Sequence, residues 1–305
     1  MEDLIRGSLD SGGLVKLIFM YSFLEKSFPT IKRIRGYRLY TNNSEKYLDF
    51  FQEGGKAILG SRPRGFSLAL KNEIEKSSFY NYPSGYLKKI TKGISTLTQE
   101  SSVNIAYFKT EEEMCEYVSE KEGKKYSLYK DITPDFSEKS NSIYFWFPFC
   151  GSSLKQYLNN FTYVLPVLPF PGDIAPIILL SLNNSLENNY VPSPVVLSGL
   201  NNIIYNLIKF LEQEPYVHWR EYTSMLNKIW KAKGPYLIPV YKKEVHESIF
   251  KAFIKNKIVI QPCYGRMSAL PSEISEGERI LFLETAYSVI RSLLHESAGF
   301  FNTTG

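Results

Sequence analysis

Apolar positions along the chain recur first with a helical period and then in short, nearly unbroken runs. Leu14, Leu17, Ile18, Tyr21 and Leu24 fall at helical spacing and predict an amphipathic first helix, which Pro29 ends. Such a stripe packs on a partner surface. Short strands are expected from Tyr37 to Phe51. Residues 66–78 carry Phe66, Leu68, Leu70 and Ile74 among charges and predict a helix. A second follows Pro83-Ser84-Gly85, with Leu87, Ile90, Ile94 and Leu97 on one face.

Strands and helices then alternate. Val103 to Phe108 predicts a strand, and Glu111 to Glu120 a helix whose first turn is acidic, where the helix dipole favours negative charge. Ile143 to Phe149, Phe161 to Leu168 and Ala175 to Leu182 are apolar runs bounded by Gly, Pro, Ser and Asn, as in strands buried on both faces of a mostly parallel sheet. Asn201-Asn202 is expected to cap a helix through Leu211, and Trp219, Tyr222, Leu226 and Trp230 to form a linking helix ended by Gly234-Pro235. Tyr236 to Lys242 and Ile258 to Pro262 as strands, with Lys243 to Lys257 and Glu276 to Glu296 as helices, make a closing α+β unit.

Composition narrows the function classes. A chain of 305 residues with 44% hydrophobic and 22% charged residues has the make-up of a globular protein. The net charge of +5 arises from 36 basic and 31 acidic residues interspersed along the sequence, which argues against nucleic acid as a partner. Cys115, Cys150 and Cys263 have neither disulfide nor zinc-site spacing, so a reducing compartment is expected. The apolar N-terminal stretch lacks a signal peptide's basic leader, and no run reaches the roughly 18 residues of a membrane span. The expected location is cytoplasmic, with no membrane partner.

Gly-rich phosphate loops and HExxH are absent. His246 is expected to be an exposed helical histidine. Cys150, before Gly151-Ser152-Ser153, is either half of a Cys/His pair or, more commonly, a buried structural thiol. Lys32, Arg33, Arg35, Arg38, Arg62 and Arg64 form the densest basic patch. It reads either as an anion-binding cleft shared with Arg266 or as a hairpin edge guarded by charge.

Arg35-Gly36-Tyr37-Arg38-Leu39-Tyr40, then Lys46-Tyr47-Leu48-Asp49-Phe50-Phe51 and Leu59-Gly60, resemble the opening of a class III aminotransferase. That family begins with a glycine-led hairpin, a Tyr-Leu-Asp-Phe strand and a Gly-His-x-His-Pro-like turn. The turn here is Gly60-Ser61-Arg62-Pro63, without either histidine. Gly234 to Val240, Lys257 to Pro262 and Ile274-Ser275-Glu276-Gly277-Glu278 resemble later parts of the same family, in the same order. The resemblance implies the fold of the pyridoxal-phosphate-dependent transferases of fold type I. The expected class is α/β: a mostly parallel central sheet in a reduced large domain, and an α+β small domain built from the N-terminal segment and the C-terminal part. The expected boundaries are 1–60, 61–214 and 215–305. Arg266 stands where members place an arginine for a substrate carboxylate.

The family's reactive groups do not follow. Its phosphate-binding Ser-Gly-Ser-Glu-Ala-like turn corresponds to Lys109-Thr110-Glu111-Glu112-Glu113-Met114, where carboxylates replace glycine and serine. Its Schiff-base lysine falls on Leu168, and no lysine occurs between Lys155 and Lys209. An Asp-Glu-Val turn and an aromatic-His-Gly turn are both missing. The resemblance places a length deficit between Met114 and Tyr163, with the segments Lys125 to Lys130 and Ile143 to Phe149 standing for lost or replaced strands. The expectation is therefore a shortened, degenerate and catalytically inactive pseudoenzyme without cofactor, acting by binding or assembly. Its partner would be a second copy or an active relative, met through the N-terminal helix. One alternative is a pyridoxal-phosphate-dependent aminotransferase with a displaced lysine, Lys155 being the nearest candidate. The other is a small-carboxylate binder acting through Arg266.

Overall fold

The computed structural model describes residues 28–80, 82–129, 141–170, 174–187, 190–213 and 216–299, so the stripe from Leu14 to Leu24 lies outside the described residues. The chain enters as three antiparallel strands, β1 (Ile31–Arg35), β2 (Arg38–Thr41) and β3 (Lys46–Asp49). Arg35 pairs with Arg38 across Gly36-Tyr37, and Gly36 takes φ +59°, the backbone that so tight a hairpin requires and glycine supplies without a Cβ clash. Next come α1 (Phe66–Glu75), α2 (Gly85–Thr98), β4 (Asn104–Phe108), α3 (Glu111–Glu122), β5 (Ser127–Tyr129), β6 (Ser142–Trp146), α4 (Leu154–Asn160), β7 (Val164–Pro166), β8 (Ile177–Ser181) and α5 (Pro194–Leu211). The chain continues through α6 (Thr223–Leu226), β9 (Trp230–Lys233), β10 (Tyr236–Pro239), α7 (His246–Lys255), β11 (Ile258–Val259), β12 (Ser268–Ala269) and α8 (Glu276–Gly299).

Contacts divide these elements into two units. One takes the chain through Gly54, Glu221–Ala232 and the part from Tyr236 onward; the other takes Gly55–Arg220 with Lys233–Pro235. The second unit is the α/β layer. Its sheet runs β4-β8-β7-β6-β5, with β5, β6 and β7 parallel and β8 antiparallel to both its neighbours. Every residue of β6 is buried, as a strand covered on both faces requires. Ile90 and Ile94 of α2 and Leu197, Ile203, Ile204 and Leu207 of α5 join one apolar cluster with Trp146, Leu168 and Phe170.

In the first unit the two ends of the chain share one sheet, β1-β2-β3-β11, because β11 pairs in parallel with β3, Ile258 opposite Leu48 and Val259 opposite Asp49. A second sheet runs β12-β10-β9. Phe282 of α8 stacks on Phe50 at 4.1 Å and lies 6.0 Å from Trp230 and 5.8 Å from Phe253, giving this unit an aromatic centre. The fold class is α/β, with a mostly parallel sheet and an α+β unit drawn from both ends of the chain.

Two local expectations are corrected. Asn201-Asn202 does not begin a helix; α5 starts at Pro194, whose missing N–H is harmless at a first helical position. Nor do Trp219 and Trp230 share a helix. A 3₁₀ turn (Val217–Tyr222) and the short α6 precede Asn227, whose side-chain oxygen accepts the Ala232 N–H at 2.8 Å. That side-chain bond competes with helix continuation and turns the chain into β9, which Trp230 opens.

Candidate functional site

In open α/β sheets, ligands bind outside the carboxyl ends of the parallel strands. Here β4, β6 and β7 end on that edge in Phe108, Trp146 and Pro166. After β4, Thr110 caps α3: its hydroxyl oxygen accepts the Glu113 N–H at 3.1 Å, and the Glu113 carboxylate accepts the Lys109 N–H at 3.1 Å. Two of the amides an anion would use are thereby bonded to the helix's own side chains, and Glu111, Glu112 and Glu113 fill its first turn.

Beyond β7, Leu168 is only 9% exposed and belongs to the apolar cluster. Beyond β6, Phe149 takes φ +70° and meets Phe210 at 5.7 Å and Tyr216 at 5.2 Å, both edge-on. Phe170 meets Phe66 at 5.2 Å in the same manner. At these strand ends Phe149 and Phe170 thus pack against other aromatic rings. Lys155 sits on α4 with its ammonium 3.0 Å from the Glu100 carboxylate. Cys150 is 3% exposed, which suits an inert structural thiol.

In the other unit Arg266 is exposed near the tip of the turn between β11 and β12. Gln261, which is buried, pins that turn. Its N–H donates to Ser268 Oγ at 2.9 Å, its Nε2 donates to the Met267 carbonyl at 3.3 Å, and its Oε1 accepts the Cys263 N–H at 3.1 Å. Of the basic patch, Arg38 is already engaged: its Nε and Nη2 donate to Glu278 at 2.8 and 2.5 Å, and Lys46 reaches the same carboxylate at 3.0 Å. Burial works against that charge, but Arg38, the Ser275 amide and Lys46 outweigh it and hold the Glu278 carboxyl at about 2. Lys32, Arg33 and Arg35 are exposed on β1, an edge strand, with Arg33 lying over the Tyr40 ring at 4.5 Å. Arg62 and Arg64, also exposed, belong to the other unit.

His246 is not the exposed histidine expected. It is 7% exposed, because the ring at the start of α7 turns inward between Tyr241 and Tyr264. Sequence reasoning also missed Gln261 and Glu278. The second was readable, since Ser275 and Glu278 have capping-box spacing and bond reciprocally, Ser275 N–H to the carboxylate at 2.9 Å and Glu278 N–H to the hydroxyl at 3.3 Å.

No family profile matches the sequence. A protein of Borreliella burgdorferi, itself uncharacterized, is 24% identical over 266 residues, 86% of this chain and 92% of that one. Among solved structures, an ornithine aminotransferase from Plasmodium yoelii superposes with TM-score 0.63 at 13% identity, covering 90% of this chain and 98% of its own. The chain has the aminotransferase fold. An S-selective transaminase from Arthrobacter sp. agrees, with TM-score 0.65 at 10% identity over 88% of this chain and 94% of that one. A further transaminase, solved with PLP bound, gives 0.62 at 10% identity over 92% and 98%.

These neighbours correct the expectation that no cofactor is involved: the solved structures named above are aminotransferases or transaminases, and one of them holds PLP, which points to PLP rather than to none. Covalent capture at the place the resemblance assigns does not fit this chain's residues. A core leucine stands there, and the helix start that would receive the phosphate is closed by Thr110 and Glu113. Among the described residues no helix is long and apolar enough to cross a membrane, and no group of His, Cys, Asp and Glu is arranged to hold a metal ion.

Proposed function

We propose that this protein is a degenerate, catalytically inactive member of the aminotransferase fold that acts by binding or assembly. The observation that carries this reading is Leu168 in the apolar cluster beyond β7, where transamination through an enzyme-bound imine needs an amine. The closed N-terminus of α3 supports it. Phe79, Tyr80 and Tyr82, exposed at 62%, 48% and 70%, offer an aromatic surface on which a second copy would dock.

The test is incubation with pyridoxal phosphate, borohydride reduction and intact-mass measurement, alongside amino-group transfer from a panel of amino acids. Absence of both a stoichiometric adduct and transfer supports the reading. One adduct on a single lysine, with turnover, overturns it in favour of a transaminase with a displaced lysine. Lys155 is a poor candidate for that lysine because its ammonium is paired with Glu100.

A second reading rests on Arg266, exposed on a turn that Gln261 holds rigid. It is a small-carboxylate contact, since a guanidinium fork matches a carboxylate. A thermal shift with amino or keto acids that disappears in Arg266→Ala supports it, and no shift with any of them removes it.

A further inference from the structure

β1 is the free edge of its sheet: among the described residues no strand pairs beyond it. The direction of its backbone groups follows from the ladder. Tyr37 and Thr41 bond toward β3, the Asp49 N–H donating to the Tyr37 carbonyl at 2.8 Å and the Thr41 N–H to the Glu45 carbonyl at 3.0 Å. The Asn42 N–H turns the other way, to the Thr30 carbonyl at 3.1 Å. Alternation along β2 then gives the backbone of Arg38 and Tyr40 to β1, where Arg35 and Arg33 are their register partners. Ile34, opposite Leu39, falls between these bonded pairs, so its N–H and C=O are directed to the open edge.

The charged side chains of this edge have one sign. Lys32, Arg33 and Arg35 are exposed, and among the described residues no carboxylate pairs with them. Arg33 lies over the ring of its register partner Tyr40 at 4.5 Å, which orders the guanidinium. Arg35 stands opposite Arg38, a like-charge pair in which only Arg38 is met by Glu278. Between the two arginines, on the other face of the strand, Ile34 is 45% exposed. Lys32 is the extra residue of a bulge, because the register shifts between Ile31 and Arg33. The regular part of the edge therefore reads cation, apolar, cation.

We propose that β1 is a docking edge for an extended acidic segment of a partner protein, which joins the four-stranded sheet as an added antiparallel strand. The segment sets an acid opposite Arg35, an apolar residue opposite Ile34 and an acid opposite Arg33. Its central residue exchanges both backbone bonds with Ile34. Charge decides the occupant. A second copy laid along the same edge would bring Lys32, Arg33 and Arg35 against themselves, and like charges across a strand pair repel. Repulsion alone would explain an edge guarded from pairing, but a guard has no use for an apolar side chain exposed between two arginines. The edge stands whether or not the chain transaminates, so its failure and that of the reading above are separate.

The experiment titrates a fluorescein-labelled peptide, Glu-Val-Glu-Val-Glu, with the full chain by fluorescence anisotropy, together with amide exchange of the protein. The expected result is saturable binding that weakens as salt rises, and slower exchange at the Ile34 amide. The Arg33 and Arg35 amides, which β2 already holds, change little. N-methylation of the peptide's valines keeps its charge but removes the N–H that meets the Ile34 carbonyl, and weakens binding by about tenfold or more. Arg33→Glu with Arg35→Glu does the same by reversing the charge. Lys-Val-Lys-Val-Lys does not bind. Equal binding of the N-methylated peptide, an Ile34 amide that the peptide leaves unchanged, or no binding up to about 1 mM overturns the proposal. So does a chain that self-associates without peptide while its Ile34 amide becomes protected, which would assign the edge to a second copy. Should the doubly substituted chain fail to fold, the N-methylated peptide on the unaltered chain still decides.

Discussion

Glu278 is the residue whose loss the structure lets one quantify best. Its side chain is 10% exposed, accepts two bonds from Arg38 and one each from Lys46 and the Ser275 amide, and so ties β2 and β3 to the first turn of α8. The carboxyl is held at about 2 against an ordinary 4.5. Taken at about 1.4 kcal/mol for each tenfold change in proton affinity, that corresponds to about 3 kcal/mol of folding stability. Arg38 and Lys46 are 27% and 50% exposed, so water screens part of it, leaving about 1 to 2 kcal/mol. Glu278→Gln keeps the shape and removes the charge. Urea unfolding near neutral pH should show that loss, and a cycle with Arg38→Gln should recover most of it as coupling. Since the folded carboxyl is the stronger acid, the contribution is present above 4.5 and is lost as pH falls toward about 2. The gap between wild type and Glu278→Gln must therefore close over that interval. A gap that stays constant across it, or coupling within about 0.3 kcal/mol of zero, would refute the assignment of the stability to this ion pair.

Gly234→Ala should destabilise by about 3 kcal/mol or more, because φ is +55° and an added Cβ would lie 2.1 Å from the Phe149 carbonyl oxygen; Gly123→Ala, at φ +65° in open space, should cost only about 1, and thermal melts of the pair separate clash from strain. Thr110→Val removes the acceptor for the Glu113 N–H and should lower stability by about 1 kcal/mol, read as faster amide exchange in the first turn of α3.

What could be read from sequence was what is written locally. The face of α2 is legible because Ile90 and Ile94 recur at the helical period and both are fully buried. The acidic start of α3 is legible because Thr110 and Glu113 lie within one turn of each other. The direction of β8 was not, since Ile177–Ser181 is as apolar as its parallel neighbours and its antiparallel pairing is set only on assembly. Nor was the burial of His246, which needs Tyr241 from before the helix and the Pro262 carbonyl from after it.

The candidate site divides in the same way. That Leu168 could not act as a lysine is plain from its identity, but that it is packed into a core, rather than left beside an empty pocket, depends on α2, α5 and β6 closing around it. The difference bears on function. A pocket that had merely lost its amine would keep polar walls and stay open to a ligand, whereas leucine and phenylalanine packed at the strand ends gain stability from excluding water. Leu168→Lys would place an ammonium among apolar side chains, so that substitution alone is expected to destabilise the cluster rather than to open a pocket.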